Sequence, residues 1–172
     1  LFDKPELLIP FNMATYFKTM ISPVGILKLI SDEKYLKSIV FDAEYAENES
    51  YIPEILMTAQ KQLEEYFSGV RQQFDLPINP DGTVFQQSVW KQLLGVEYGS
   101  TKSYGEIAHE LKSDNYSRAV GMANGRNPLP IVVPCHRIIG HNGKLTGYAG
   151  GLERKKWLLL HEQKYSGKRL IG

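Results

Sequence analysis

The chain of 172 residues holds a single cysteine, Cys135, set in the run Pro134-Cys135-His136-Arg137-Ile138-Ile139. A cysteine acts as a nucleophile through its thiolate, so it needs a proton acceptor and benefits from nearby positive charge. His136 is the first kind of residue and Arg137 the second. Successive strand residues face opposite ways, so His136 reaches the sulfur only if the chain turns here, and Pro134 favours that turn. A histidine base also needs an acceptor to orient its ring, and Glu162, in an expected closing helix, is the candidate. Against this stands the ordinary fate of a lone cysteine, which is to be a small buried hydrophobe.

One cysteine excludes a disulfide framework within the chain and any zinc site built on several cysteines. With 42% hydrophobic and 23% charged residues, the composition is that of a globular protein, neither disordered nor collagen-like. No run approaches the roughly 20 apolar residues of a membrane span. The opening segment lacks the basic-then-apolar pattern of a secretory signal, so a cytoplasmic location is expected. The net charge of +1 conceals a division. Residues 1–82 carry 7 Lys+Arg against 13 Asp+Glu, whereas residues 83–172 carry 13 against 6, together with all four histidines and the cysteine. Basic charge and chemistry thus coincide in the second part, which points to a polyanionic partner.

The elements that must position these residues divide at the Pro80-Asp81-Gly82 turn. Met13 to Met20, Gly25 to Ser31 and Tyr35 to Asp42 are short β-rich runs that suit an antiparallel meander. Residues 42–50 form an acidic loop. A helix follows from Pro53, with Ile52, Leu56, Ala59, Leu63 and Phe67 as its apolar stripe and Gly69 as its stop. This part is read as structural. In the second part, Thr83 with Gln86 and Ser103 with Glu106 are capping boxes that open two helices. A polar break over residues 112–115 leads to a third helix, Tyr116 to Asn124, which makes a helix-turn-helix candidate, although helical hairpins without a DNA role are as common. Ile131-Val132-Val133 reads as a buried strand entering the cysteine run. Gly140 to Gly151 holds five glycines and reads as a loop whose backbone approaches a ligand. The last helix runs from Leu152 to Gln163, with Trp157, Leu158 and Leu160 buried, while Lys155, Lys156, Lys164, Lys168 and Arg169 make the tail basic.

The cysteine run, with Asn127-Pro128 before it and Gly147-Tyr148-Ala149-Gly150-Gly151-Leu152 after it, resembles the active-site signature of the O6-alkylguanine-DNA alkyltransferases (methylated-DNA–protein-cysteine methyltransferases). The likeness extends through Phe85 to Trp90, Ser103 to Ala108, Arg118 to Gly121, Lys156 to Leu159 and His161-Glu162, covering about 80 residues. The family's fold implies a ribonuclease-H-like α/β domain over 1–82, followed by a mainly helical domain with a helix-turn-helix over 83–172. Ala149 stands where some members carry serine. The first part lacks the cysteine and histidine ligands that let some relatives hold zinc.

The resemblance also implies roles. Cys135 is the acceptor that takes the alkyl group irreversibly, His136 removes the thiol proton through a water and is held by Glu162, and Tyr104 donates to guanine N3. Arg118, on the recognition helix, enters the minor groove in place of an extruded base. Ala119, Gly121 and Ala123 allow close approach to DNA, and Asn127 braces the turn before the cysteine. Carbonyls of Cys135 and Ile138 and the amide of Ala149 read the base, with Tyr148 beside it. The implied partner is alkylated double-stranded DNA, bound by a monomer with no cofactor, metal or membrane. Two other readings remain: a non-enzymatic helix-turn-helix DNA-binding protein with a structural cysteine, and a cysteine hydrolase using Cys135 and His136.

Overall fold

The computed structural model describes residues 14–46, 51–112 and 114–171. Strands β1 (Tyr16–Ser22), β2 (Gly25–Ser31) and β3 (Leu36–Phe41) pair antiparallel in the order β1-β2-β3, as the meander requires. The expected start of β1 at Met13 lies outside the described residues, as do residues 47–50 of the acidic loop. Alternation puts Leu27 and Leu29 of β2 on one face, where both are fully buried beneath helix α1 (Glu54–Phe67). Pro53 is the residue that caps α1, one position earlier than a first-turn proline. The helix buries Ile55, Leu56, Ala59, Gln62, Leu63 and Tyr66. Each leucine of this interface contributes about 2–3 kcal/mol of burial.

The chain returns from α1 along β3, where Leu36 N donates to Pro77 O and Asn79 N to Leu36 O. Further along that edge, Ile39 N donates to Pro128 O at 2.8 Å, so the sheet is hydrogen-bonded to the segment leading into the cysteine.

Helices α2 (Val84–Leu94) and α3 (Tyr104–Glu110) open on the two expected capping boxes, and both are formed reciprocally. Helix α4 (Ser117–Gly125) follows a 3-10 turn at Asp114–Tyr116, and the indole of Trp90 on α2 donates to Ala123 O at 2.9 Å to fix α2 against α4. Strand β4 (Lys102–Ser103) pairs in parallel with β5 (Ile138–Ile139), which joins the start of α3 to the end of the cysteine turn. Helix α5 (Leu152–Ser166) closes the fold.

Three expectations need correction. Ile131-Val132-Val133 is a buried turn with a single-residue bridge between Pro130 and Val133, because Pro128, Pro130 and Pro134 remove the donors a strand ladder needs. Ile131 takes φ +75° there, a costly conformation for a β-branched residue, held by complete burial. On α5, Leu160 is 43% exposed and Leu159 fills the core beside Leu158. Lys155, read as tail charge, is fully buried.

Candidate active site

Cys135 opens a 3-10 turn, Cys135–Arg137, placed after Pro134. The turn answers the geometric condition set by the sequence: Cys135, His136 and Arg137 all point into the protein, and the cysteine is only 3% exposed. Asn127 holds the turn from behind. Its amide nitrogen donates to Val133 O at 2.8 Å and to Cys135 Sγ at 3.0 Å, while its oxygen accepts from Leu129 N. Asn124, on the inner face of α4, donates to the Cys135 carbonyl at 3.4 Å.

Burial pushes the Cys135 thiol up to about 11, and the Asn127 amide and the Lys155 charge offset only part of that. The resting sulfur therefore carries its proton. This modifies the reading in which Arg137 provides an electropositive setting for a thiolate. The Arg137 guanidinium donates instead to both oxygens of Glu162 and to Val96 O, and stacks 5.6 Å from the Tyr98 ring.

His136 Nε2 lies 2.8 Å from Glu162 Oε1. An ionised carboxylate only accepts, so Nε2 carries the ring proton and Nδ1 is left with its lone pair free to accept. Nδ1 is buried and has no hydrogen-bond partner in the structure. Desolvation is the largest influence on the ring and keeps its pKa below the usual 6.5, outweighing Glu162. At neutral pH the ring is thus an unprotonated base with one free nitrogen. Glu162, fully buried, also accepts from Tyr66 Oη at 2.9 Å and from Gly99 N at 3.0 Å; burial would raise its carboxyl, but His136 and Arg137 hold it down at about 2. Gly99 reaches the other oxygen, Oε2, at φ +68°, where an added Cβ would lie 2.4 Å from Ser166 Cβ.

The other wall is the loop 140–151. Tyr104, the first residue of α3, donates to Thr146 O at 3.1 Å. Lys155 Nζ donates to the same carbonyl at 2.7 Å and also to Ile138 O, so one of the carbonyls expected to read a base already has a donor. Burial lowers Lys155 to about 8. Tyr148 has a buried hydroxyl without a partner, and its ring lies 6.1 Å from Phe41 of β3. Ala149 is exposed. Arg154 ties this loop to the sheet by donating to Gly150 O at 2.9 Å, to Val24 O at 2.7 Å and to Asp42.

Cys135, His136, Glu162, Asn127, Ile138, Tyr104 and Tyr148 are therefore brought around one turn and its facing loop. Arg118 stands apart on the exposed side of α4, with Ala119 and Gly121 half-buried nearby and Gly121 facing the Tyr104 ring. Ala123, grouped with them from sequence, is turned inward: it is 2% exposed, on the side of α4 that meets Trp90. Residues that the sequence did not single out are Tyr66, Asn124, Arg137 as a partner of Glu162, Lys155 and Arg154. For Lys155 a signal existed, since Lys155, Leu158, Leu159 and Glu162 lie at i, i+3, i+4 and i+7 on one helical face.

Among the described residues no helix is long and apolar enough to cross a membrane. Residues 15–80 match the family model described as 6-O-methylguanine DNA methyltransferase, ribonuclease-like domain, and residues 84–164 match its DNA binding domain. The methylated-DNA–protein-cysteine methyltransferase of Methanosarcina acetivorans is 46% identical over 153 residues, which cover 84% of this chain and 96% of that protein. That of Mycolicibacterium paratuberculosis is 43% identical, covering 87% and 93%. Among solved structures, the Mycobacterium tuberculosis O6-methylguanine methyltransferase superposes with a TM-score of 0.80 at 42% identity, over 88% of this chain and 94% of that one. The M. tuberculosis protein in complex with DNA gives 0.79 at 43% identity, over 87% and 94%. With this likeness running through both halves and over more than four-fifths of its length, the chain belongs to the 6-O-methylguanine DNA methyltransferase family.

Proposed function

We propose that this protein repairs O6-alkylguanine in duplex DNA by taking the alkyl group onto Cys135, once per molecule. The observation that carries the reading is that one buried turn holds a proton-bearing thiol and, at the next residue, a neutral His136 with one ring nitrogen committed to Glu162 and the other without a partner. The sulfur attacks the alkyl carbon, the S–C bond forms as the C–O6 bond breaks, and the thiol proton passes to His136 Nδ1 through a water. Guanine leaves as a neutral base when Tyr104 donates a proton to N3, for which the hydroxyl must exchange its Thr146 carbonyl for the base. The thioether has no hydrolytic exit, so the protein is consumed.

A stacked lesion cannot reach a sulfur that is 3% exposed, so the nucleotide must leave the helix at a cost of a few kcal/mol. Arg118, exposed on α4, fills the gap from the minor groove, with Ala119 and Gly121 allowing close approach. Tyr148, the Ala149 amide and the Cys135 and Ile138 carbonyls receive the base. Residues 1–82 serve as the structural domain and 83–172 as the catalytic and DNA-binding domain. The protein works as a cytoplasmic monomer without metal or cofactor.

Incubation with O6-benzylguanine, followed by peptide mass spectrometry, tests this. One stable benzyl adduct on Cys135 is expected, and none with Cys135→Ala. A helix-turn-helix regulator gives no adduct in either protein, and a hydrolase gives no stable one.

A further inference from the structure

Glu162 Oε1 accepts from three residues: Tyr66 Oη at 2.9 Å, His136 Nε2 at 2.8 Å, and Arg137 through Nη2 at 3.0 Å and Nε at 3.2 Å. Only one of them comes from the amino-terminal half. A carboxylate oxygen offers about two lone-pair directions, so the donors of these three residues share its electron density. What one of them gives up, the others gain.

We infer that Tyr66 is a positioning residue for the reaction, its hydroxyl competing with His136 for Glu162 Oε1 and thereby holding down the proton affinity of the imidazole. The inference rests on His136 serving as the base for Cys135. The groups facing the imidazole are Glu162 and Lys155 of α5, Arg137 beside it and the hydroxyl of Tyr66 beyond the carboxylate. Those facing Tyr66 are Glu162, Arg137, Tyr98 and His161. Burial and the adjacent carboxylate raise the Tyr66 phenol well above its usual 10, so it remains a donor at every working pH and does not itself titrate.

Two features separate this role from packing. The Tyr66 ring is held by Phe67, Phe74, Tyr98 and His161, with centroids 5.2–6.0 Å away, and Tyr66→Phe keeps all of those contacts. Removing the oxygen also leaves no orphan, because Glu162 retains His136, Arg137 and Gly99. The substitution therefore subtracts one donor from one oxygen.

The test measures the His136 ring by NMR titration in the full chain and, in parallel, the pH dependence of single-turnover reaction with free O6-benzylguanine. In Tyr66→Phe the His136 midpoint should rise by about half a pH unit, and the acid limb of the rate should move with it, making the variant about threefold slower on that limb relative to its plateau. Phe74→Leu, which touches the same ring but not the carboxylate, should lower Tm without moving either midpoint. If Tyr66→Phe does not fold, 3-fluorotyrosine at position 66, a stronger donor, should shift both midpoints downward. Unmoved midpoints in the donor variants overturn the inference. A wild-type protein that does not react with O6-benzylguanine overturns the proposed function instead, while the NMR titration still decides the role of Tyr66.

Discussion

The structure makes a quantitative demand on how the thiol loses its proton. With Cys135 raised to about 11, spontaneous ionisation at pH 7 leaves about one thiol in 10^4 as thiolate. If transfer drew on that fraction alone, the rate would climb tenfold per pH unit, about thirtyfold between pH 6.5 and 8. If His136 takes the proton, the thiol and neutral imidazole titrate as a pair and the rate is flat across that window. It falls only on the acid side, at a pH below the ordinary imidazole value, because burial holds the ring's pKa down. The window closes near pH 8, where Lys155 loses the charge that favours the thiolate. Replacement of His136 by alanine should convert the plateau into the tenfold-per-unit slope and slow the reaction at pH 7 by about 10^2- to 10^4-fold. Rapid-quench single-turnover kinetics with O6-benzylguanine, scored by intact mass, measure both. A wild-type slope of one decade per unit across the window, or a His136→Ala rate equal to wild type, would refute the reasoning.

Arg118→Ala should slow reaction with alkylated duplex far more than with the free base, since only the duplex needs extrusion, and duplex affinity should fall with salt at about −0.9 per phosphate neutralised; equal slowing of both substrates would reassign Arg118. Arg154→Ala removes the bonds to Val24 and Gly150 carbonyls and should cost about 1–2 kcal/mol in denaturant melts while speeding limited proteolysis within residues 140–151; unchanged cleavage would show that the loop is held by other contacts. His136, His161 and Glu162 all have folded pKa values below their ordinary ones, so each contributes stability that is present above its unfolded pKa and lost as pH falls through the folded value. Calorimetry should therefore show Tm falling from about pH 6.5 toward pH 2; a Tm constant down to pH 4 would contradict it.

Much of this was legible in the sequence because local signals were unopposed. The capping boxes at Thr83 and Ser103, the limits of β2 and the His136–Glu162 pair all appear where residue type and spacing put them. The segment Ile131-Val132-Val133 misled because its β-branched composition favours a strand while the surrounding prolines forbid the ladder. Lys155 misled because charge is normally solvated, and its burial depends on three carbonyls supplied by β5 and by the loop that leads into α5. Tyr66 was not recoverable from spacing at all. Its polar partner lies 96 residues away, and only the docking of α5 on α1 brings the two together.

Chain order gives that docking a temporal meaning. Lys155, Glu162 and Arg154 all belong to α5, which follows every other described element, whereas the cysteine and its histidine precede it. During synthesis, earlier segments are free to fold first. A nascent chain that has emerged as far as the glycine-rich loop therefore holds a thiol and an imidazole, but no carboxylate to fix the ring's tautomer and no clamp on the loop. The carboxylate that fixes the imidazole and the lysine and arginine that hold the loop thus arrive together on α5, so the arrangement around Cys135 is assembled only when that helix docks.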